Sequence, residues 1–389
     1  MLSEAAVSPY ASAAREKYEA LKLLYATNDK MAEPVVFWRL GNAFDTIIDY
    51  LDTIDSSSAD FVASMVVTRL DYAIKKLGGY DEAWFDDFGW WSVASERALQ
   101  KPYFKAHADS FKTILSECWG RFTANAPFVW ARRQPNTFDD YGPAQAGGVW
   151  NAYWTGTAAT YPGPKNGDPS NGRLIGIQNT VTNALYLMAA HRLGSSDPDT
   201  QKATAGVFHF LTAWLDEASY PLWWTLDNNA GLVRERVGHF ANSKTKADGF
   251  LETWAWAGDQ GLMLGNLSDA MLQYPPLSRG PLRDRIKALL AGVSQGLTNT
   301  DHVLRSFSDS SPPDQDYNDY ETGSGVFWRN ALYVWKTNSD LGPDLTSKSF
   351  QTMLRASAES AASTPASGLS FDVLANDLAV LVAASAMLP

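Results

Sequence analysis

The sequence predicts an all-α protein, with about six helical hairpins closed into an (α/α)6 toroid that spans residues 1–389 as one domain. Three observations predict it. Apolar residues recur at helical spacing in about twelve segments joined mostly by short loops. No segment reads as a strand. The polar and glycine-rich motifs fall mainly on every second helix, as they would if alternate helices lined a common funnel.

In chain order, residues 11–26, 41–54 and 60–77 read as the first three helices, the third stopped by Gly78-Gly79 in the manner of a glycine C-cap. The fourth starts at Asp86-Asp87 and runs to Leu99, and residues 102–122 form the fifth. From 126 to 172 Pro, Gly and Asn are dense, and a loop of that length in a compact domain is usually functional or disordered. Trp130, Trp150, Tyr153 and Trp154 within it argue for order. Helices resume over 175–193, 200–218, 250–272 and 283–297, the last preceded by Pro281 as a start signal. Residues 308–320, acidic and holding Pro312-Pro313, read as a loop, and 321–335, 347–362 and 371–387 complete the set. No repeat of fixed period is visible. With the first helix outside, the inner helices are the even-numbered ones, and their near ends converge on one pocket.

Composition narrows the partners. The net charge of −11 excludes a nucleic-acid footprint, which would be basic. No run of 18 apolar residues is present, so no membrane span is expected. The first eleven residues lack the basic start and apolar core of a signal peptide. The single cysteine, Cys118, cannot form an internal disulfide and reads as a small buried hydrophobe. His107, His191, His209, His239 and His302 are scattered, with no metal-ligand spacing, so neither metal nor cofactor is expected. The chain is rich in aromatics, with 15 Trp, 16 Tyr and 18 Phe, and several Trp stand beside polar and Gly residues, as in a sugar-binding surface.

The stretch Trp84-Phe85-Asp86-Asp87-Phe88-Gly89-Trp90-Trp91 carries the chemistry. Asp suits the first turn of a helix, where free N–H groups and the dipole favour negative charge. Adjacent helical residues point about 100° apart, so Asp86 and Asp87 can take different environments. The helix start favours an ionised Asp86, while repulsion and the neighbouring Phe85 and Phe88 favour a protonated Asp87. One ionised and one protonated carboxyl is what glycoside hydrolysis uses. Trp90 and Trp91, at i+4 from each Asp, flank the same surface.

Together the motifs resemble glycoside hydrolase family 76, the endo-acting α-1,6-mannanases, and related fungal cell-wall proteins thought to act on GPI-anchor glycans. Five matches occur in order between about Tyr80 and Trp335. They are Asp86-Asp87-Phe88-Gly89-Trp90, Gly147-Gly148-Val149-Trp150, the Asn-containing helix start from Gln178 through Asn179 to Asn183, Gly258-Asp259-Gln260-Gly261, and Gly325-Val326-Phe327-Trp328-Arg329. The fourth departs from the family: a Tyr-Asn pair is replaced by Gly258-Asp259, with Trp254 and Trp256 just before it. The resemblance implies a retaining hydrolase with Asp86 as nucleophile and Asp87 as acid/base. It also implies substrate contacts from Trp90, Trp150, Asn179, Asp259 and Gln260, a poly- or oligosaccharide substrate, a monomeric state and a secreted or cell-surface location.

Other readings compete. Asp139-Asp140 is a second acidic pair, but it sits in a loop with no helix to orient it. Asp314, Asp316 and Asp319 offer hard oxygens without the glycine and terminal Glu of a calcium loop. Asn179 and Gln260 can equally cap or bridge helices. A metal-dependent terpene cyclase, also helical and aspartate-rich, would want a third acid at the position of Trp90. A transglycosidase would use the same intermediate as a hydrolase, and a non-catalytic glycan-binding barrel would tolerate loss of one Asp, whereas both are present.

Overall fold

The structure is a computed structural model that describes residues 8–27, 37–77, 84–125, 147–149, 179–194, 196–212, 231–235, 255–273, 275, 279–308 and 318–388. Twelve helices of fourteen or more residues are found among them. They are α1 Pro9–Thr27, α2 Phe37–Thr53, α3 Ala59–Leu77, α4 Phe85–Leu99, α5 Ala108–Asn125 and α6 Thr180–Leu193. The second half holds α7 Pro198–Thr212, α8 Ala257–Gln273, α9 Gly280–Gly296, α10 Gly323–Thr337, α11 Lys348–Ser363 and α12 Phe371–Met387. A single turn, Gly342–Leu345, and short 3-10 segments lie between them. Among the described residues there is no strand, only isolated antiparallel bridges such as Trp256 with Phe307.

The even-numbered helices form a ring. Helix α2 packs on α4, α4 on α6, α6 on α8, α8 on α10, α10 on α12, and α12 returns to α2. The odd-numbered helices lie outside it: α1 and α11 against α12, α3 against α2, α5 against α4, α7 against α6 and α9 against α8. This is the predicted (α/α)6 toroid. The two classes differ in pattern for a physical reason. Outer α11 buries Phe350, Met353, Leu354, Ser357, Ala358 and Ala361, one stripe of a 3.6-residue period. Inner α8 buries every residue from Ala257 to Met271, because it is covered on all sides.

Boundaries moved where backbone chemistry intervened. The predicted fifth helix is two elements, a 3-10 turn Pro102–His107 and then α5, which restarts with Asp109 in its first turn. The eighth begins at Ala257 because the residues before it are extended: Ser308 N–H donates to Ala255 O, and Ala257 N–H to Ser306 O. Inner helices approach closely at glycines. A Cβ on Gly89 would lie 2.8 Å from Leu185 Cβ, and one on Gly261 would lie 2.5 Å from Phe327 Cα.

The lower half of the barrel axis is filled with charge. Arg97 of α4 pairs with Asp45 and, at 2.5 Å, with Asp49 of α2. Arg329 of α10 donates to Asn42 O at 2.6 Å, to Asn42 Oδ1 at 2.7 Å and to Thr46 Oγ1 at 3.0 Å, with Asp45 Oδ2 at 3.4 Å. Arg192 of α6 lies 3.8 Å from Asp269 of α8 and 4.2 Å above the Tyr333 ring, whose hydroxyl donates to Asp269 at 2.6 Å. Burial pushes the Asp45 carboxyl up, but Arg97, Arg329 and Arg192 together hold it below its ordinary value. Those three guanidinium groups stand among Asp45, Asp49 and Asp269, and Glu96 of α4 is a further buried acid close to them. Burial accordingly pushes Glu96 up, against the opposing pull of Arg192 and Arg97.

Two tests follow from this packing. Gly261→Ala should cost about 1–3 kcal/mol by overpacking against the α10 backbone. Gly120→Ala, at an exposed α5 position with nothing within 4 Å of the added Cβ, should instead gain about 0.5–1 kcal/mol. Urea unfolding of both variants reads the pair, and equal effects would remove the close-approach explanation. The second test is pH. A group whose folded pKa is raised contributes stability that is full below its unfolded value, about 4.3 for Glu, and is lost as pH rises through the folded value. Glu96→Gln should therefore gain stability relative to wild type between pH 4 and pH 8. Parallel pH profiles would show that Glu96 titrates normally.

Candidate active site

The mouth of the ring is formed by the starts of the inner helices. At α4, Trp84 is the extended N-cap residue and Asp86 and Asp87 occupy the first turn. Asp87 reaches back, its Oδ2 accepting the Trp84 N–H at 2.9 Å, while Trp84 O accepts the Asp87 N–H at 3.1 Å. One carboxyl oxygen is thereby fixed to the backbone, which orients the group. Asp87 is 6% exposed, and Asp86, one residue earlier, is more open. The two neighbours thus differ in environment.

The tryptophans one turn on have separate roles. Trp91 is fully buried and its indole N–H donates to Phe37 O at 2.7 Å, tying the start of α2 to α4. Trp90 is 4% exposed, packed against Trp38 with ring centroids 5.9 Å apart and with the Arg329 guanidinium 5.9 Å from its own centroid. It stands between the mouth and the charged axis, with little surface of its own presented outward. Beside it, Arg39 at the start of α2 pairs with Asp372 at the start of α12 at 3.1 Å.

The two candidate amides hold backbone. Asn179 is the N-cap of α6, its Oδ1 accepting from Thr182 N–H at 3.2 Å. Gln260 is fully buried. Its Oε1 accepts from Val233 N–H at 2.8 Å, and its Nε2 donates to Val233 O at 2.8 Å and to Trp256 O at 3.0 Å. Both side chains thereby satisfy backbone groups of the extended segments at the mouth, the bridging role that the sequence left open beside substrate contact. Asn183 performs the same task one helix earlier. Val149 N–H donates to its Oδ1 at 2.8 Å, and its Nδ2 donates to Val149 O at 3.1 Å and Asn179 O at 2.8 Å. Each gripped valine follows two residues after a glycine in the left-handed region, Gly147 at φ 97° and Gly231 at φ 98°. Each glycine also abuts a carbonyl of the next outer helix, Gly206 O of α7 and Ala288 O of α9.

Asp259 lies in the first turn of α8, fully buried. The ring order places it, Asp86 and Asp87 on the same end of the barrel, at the starts of α8 and α4 with α6 between them. Trp150, Asp139, Asp140, Asp314 and Asp316 lie outside the described residues, and Asp319 falls in the 3-10 segment Asn318–Thr322. Glu235 was missed by sequence reasoning. It is buried at the start of α6, where its backbone carbonyl accepts the Thr180 N–H at 2.7 Å. Among the described residues no group of three or more His, Cys, Asp or Glu is gathered to hold a metal ion, and no helix is long and apolar enough to cross a membrane.

No known family profile matches the chain, and no curated protein matches it. Solved structures do. The GH76A α-1,6-mannanase from Salegentibacter sp. HEL1_6 superposes with a TM-score of 0.63 at 14% identity, covering 97% of this chain and 99% of that one. An inactive variant of the same mannanase, with two consecutive aspartates replaced by asparagine and α-1,6-mannotriose bound, gives 0.63 at 13% identity, with 97% and 99% covered. Dfg5 from Chaetomium thermophilum, in complex with glucosamine, gives 0.51 at 15% identity, with 90% and 80% covered. The chain therefore has the all-α barrel fold of family 76 glycoside hydrolases over nearly its whole length.

Proposed function

We propose that this protein is a retaining glycoside hydrolase that acts on an α-linked glycan, with α-1,6-mannan the foremost candidate. One observation carries the reading. An adjacent aspartate pair opens an inner helix at the mouth of a barrel whose fold is shared with an α-1,6-mannanase, and that mannanase has an inactive form with two consecutive aspartates replaced.

In the proposed mechanism the Asp86 carboxylate attacks the anomeric carbon as the glycosidic bond breaks, and the Asp87 carboxylic acid gives its proton to the leaving oxygen. The result is a glycosyl ester on Asp86 and an ionised Asp87. Water then attacks the same carbon, Asp87 takes its proton, and the ester bond breaks to release sugar with its original configuration. Adjacent residues in one helical turn suit the roughly 5–5.5 Å carboxyl separation of retaining sites better than the wider gap that inversion needs. The Trp84 N–H bond to Asp87 Oδ2 supports a positioned acid, since it fixes the orientation of the carboxyl. Asp259, buried in the next helix but one, is the reserve base should the product be inverted.

Asp86→Asn and Asp87→Asn should each abolish release of reducing ends from α-1,6-mannan. Asp87→Asn should keep more activity on an aryl mannoside, since the acid's share, roughly 10²–10⁴-fold, matters less with a good leaving group. Proton NMR of the first-formed product should show retained configuration, and an inverted product would rule out Asp86 as nucleophile. Activity should persist after exhaustive chelation, because two carboxyls suffice for the chemistry. Its loss, with recovery on adding Mg²⁺ or Ca²⁺, would point to a metal enzyme instead.

A further inference from the structure

We infer that Tyr320, Phe307 and Glu235 form a sugar subsite on the barrel rim, which takes one hexose unit of an extended glycan; this rests on the glycosidase reading above.

The subsite is built from three directions. The extended segment before α8 pairs antiparallel with residues 306–308, and the Trp256–Phe307 bridge sets those two side chains on one face. Trp256 is buried, with its indole N–H donating to Tyr320 O at 2.9 Å. Its ring fills the space above Gly258 at the start of α8 and Gly323 at the start of α10, where any Cβ would collide with the indole. Tyr320 then stands edge-on to Trp256, with centroids 5.8 Å apart at 89°, and lies 5.0 Å from the Phe307 ring. Tyr320 and Phe307 are both half-buried, so each offers part of a ring to the outside.

The third side is polar. The Tyr320 hydroxyl lies 3.4 Å from Glu235 Oε1. Because Glu235 is fastened to the start of α6 and Tyr320 to the start of α10, this contact spans the mouth over the first turn of α8, where Asp259 sits. A carboxylate accepts at several lone-pair sites and a phenol both donates and accepts, so the pair can serve sugar hydroxyls while keeping its own contact. An aromatic ring with a polar tip beside a fixed carboxylate matches a pyranose, which has an apolar face and a hydroxylated edge. None of these residues belongs to the Asp86–Asp87 turn, and the subsite is assigned to a unit beyond the one cleaved.

The test uses the Asp86→Asn/Asp87→Asn protein, which separates binding from turnover, titrated with α-1,6-mannotriose by calorimetry. Tyr320→Ala in that background should weaken binding roughly tenfold. Tyr320→Phe keeps the packing on Trp256 and Phe307 and should weaken it about threefold, through loss of the hydroxyl alone. In the otherwise wild-type enzyme, Tyr320→Phe should raise KM for oligosaccharide while kcat stays within about twofold. If the background protein binds mannotriose and both Tyr320 variants bind it equally well, the subsite is wrong and the glycosidase reading stands. If the background protein binds no mannotriose, the α-1,6-mannan reading falls and the subsite with it.

Discussion

Arg329 reaches inward from α10 to grip α2 through Asn42 and Thr46, with Asp45 beside it, and the rest of the mouth is stacked above that contact. A ring of six helices cannot close around vacuum. Its axis must be filled, and here the lower half is filled by guanidinium and carboxylate rather than by hydrocarbon. Buried ion pairs recover little more than the desolvation they cost, so their presence says less about stability than about geometry. What they supply is register. Each arginine must meet a particular acid on a neighbouring helix, and a shift of one turn would strand a buried charge. Trp90 lies on Arg329, Trp38 lies on Trp90, and Asp86 and Asp87 stand one turn above that indole. The rotation of the Asp86–Asp87 turn is thus fixed from below.

The second constraint is backbone hydrogen bonding at the mouth. Among the described residues, the segments that enter the inner helices are extended and form isolated bridges at most, so their N–H and C=O groups need partners. Asn183 and Gln260 provide them in the same way, each with a donor and an acceptor on one valine and a further bond back to the residue four positions earlier. The left-handed glycines Gly147 and Gly231 lie two residues before those valines, each against the next outer helix. Two consecutive hairpins thus share a construction that their sequences do not display at a fixed period.

How much was legible follows from distance along the chain. The Asp86–Asp87 turn was readable because first-turn acids obey a local rule, and residues 371–387 were placed to the residue because Phe371 follows Ser370, whose hydroxyl caps Val373 N–H. The alternation of inner and outer helices was readable because the polar and glycine-rich motifs fall mainly on every second helix. The backbone role of Gln260 could not be singled out because its partner, Val233, is 27 positions away, and nothing local separates an amide that binds sugar from one that binds backbone. Glu235 and Tyr320 belong to no motif and meet across 85 positions. The charged axis left a usable trace: Asp45 and Asp49, one turn apart among Ala43, Phe44, Ile47, Ile48 and Leu51, require a buried cation. That cation is Arg97, some 50 residues on.

The departure at Gly258 is the point where the chain's own design shows most clearly. The resemblance places a tyrosine ring at that position, and its loss looks like a deletion from the wall. In the structure the volume is not empty, because Trp256 lies over the glycine from two residues upstream and also covers Gly323. The replacement ring arrives from outside the helix rather than from its first turn, so it is buried, and its edge carries Tyr320 outward on the rim. A ring that would have been part of the funnel wall has become the support for another ring farther out. Contact area at the mouth is thereby moved away from the Asp86–Asp87 turn. On the glycosidase reading proposed above, a protein shaped this way would hold its glycan by units distant from the cleaved bond, and binding energy from such remote units raises turnover only when it is realised in the transition state.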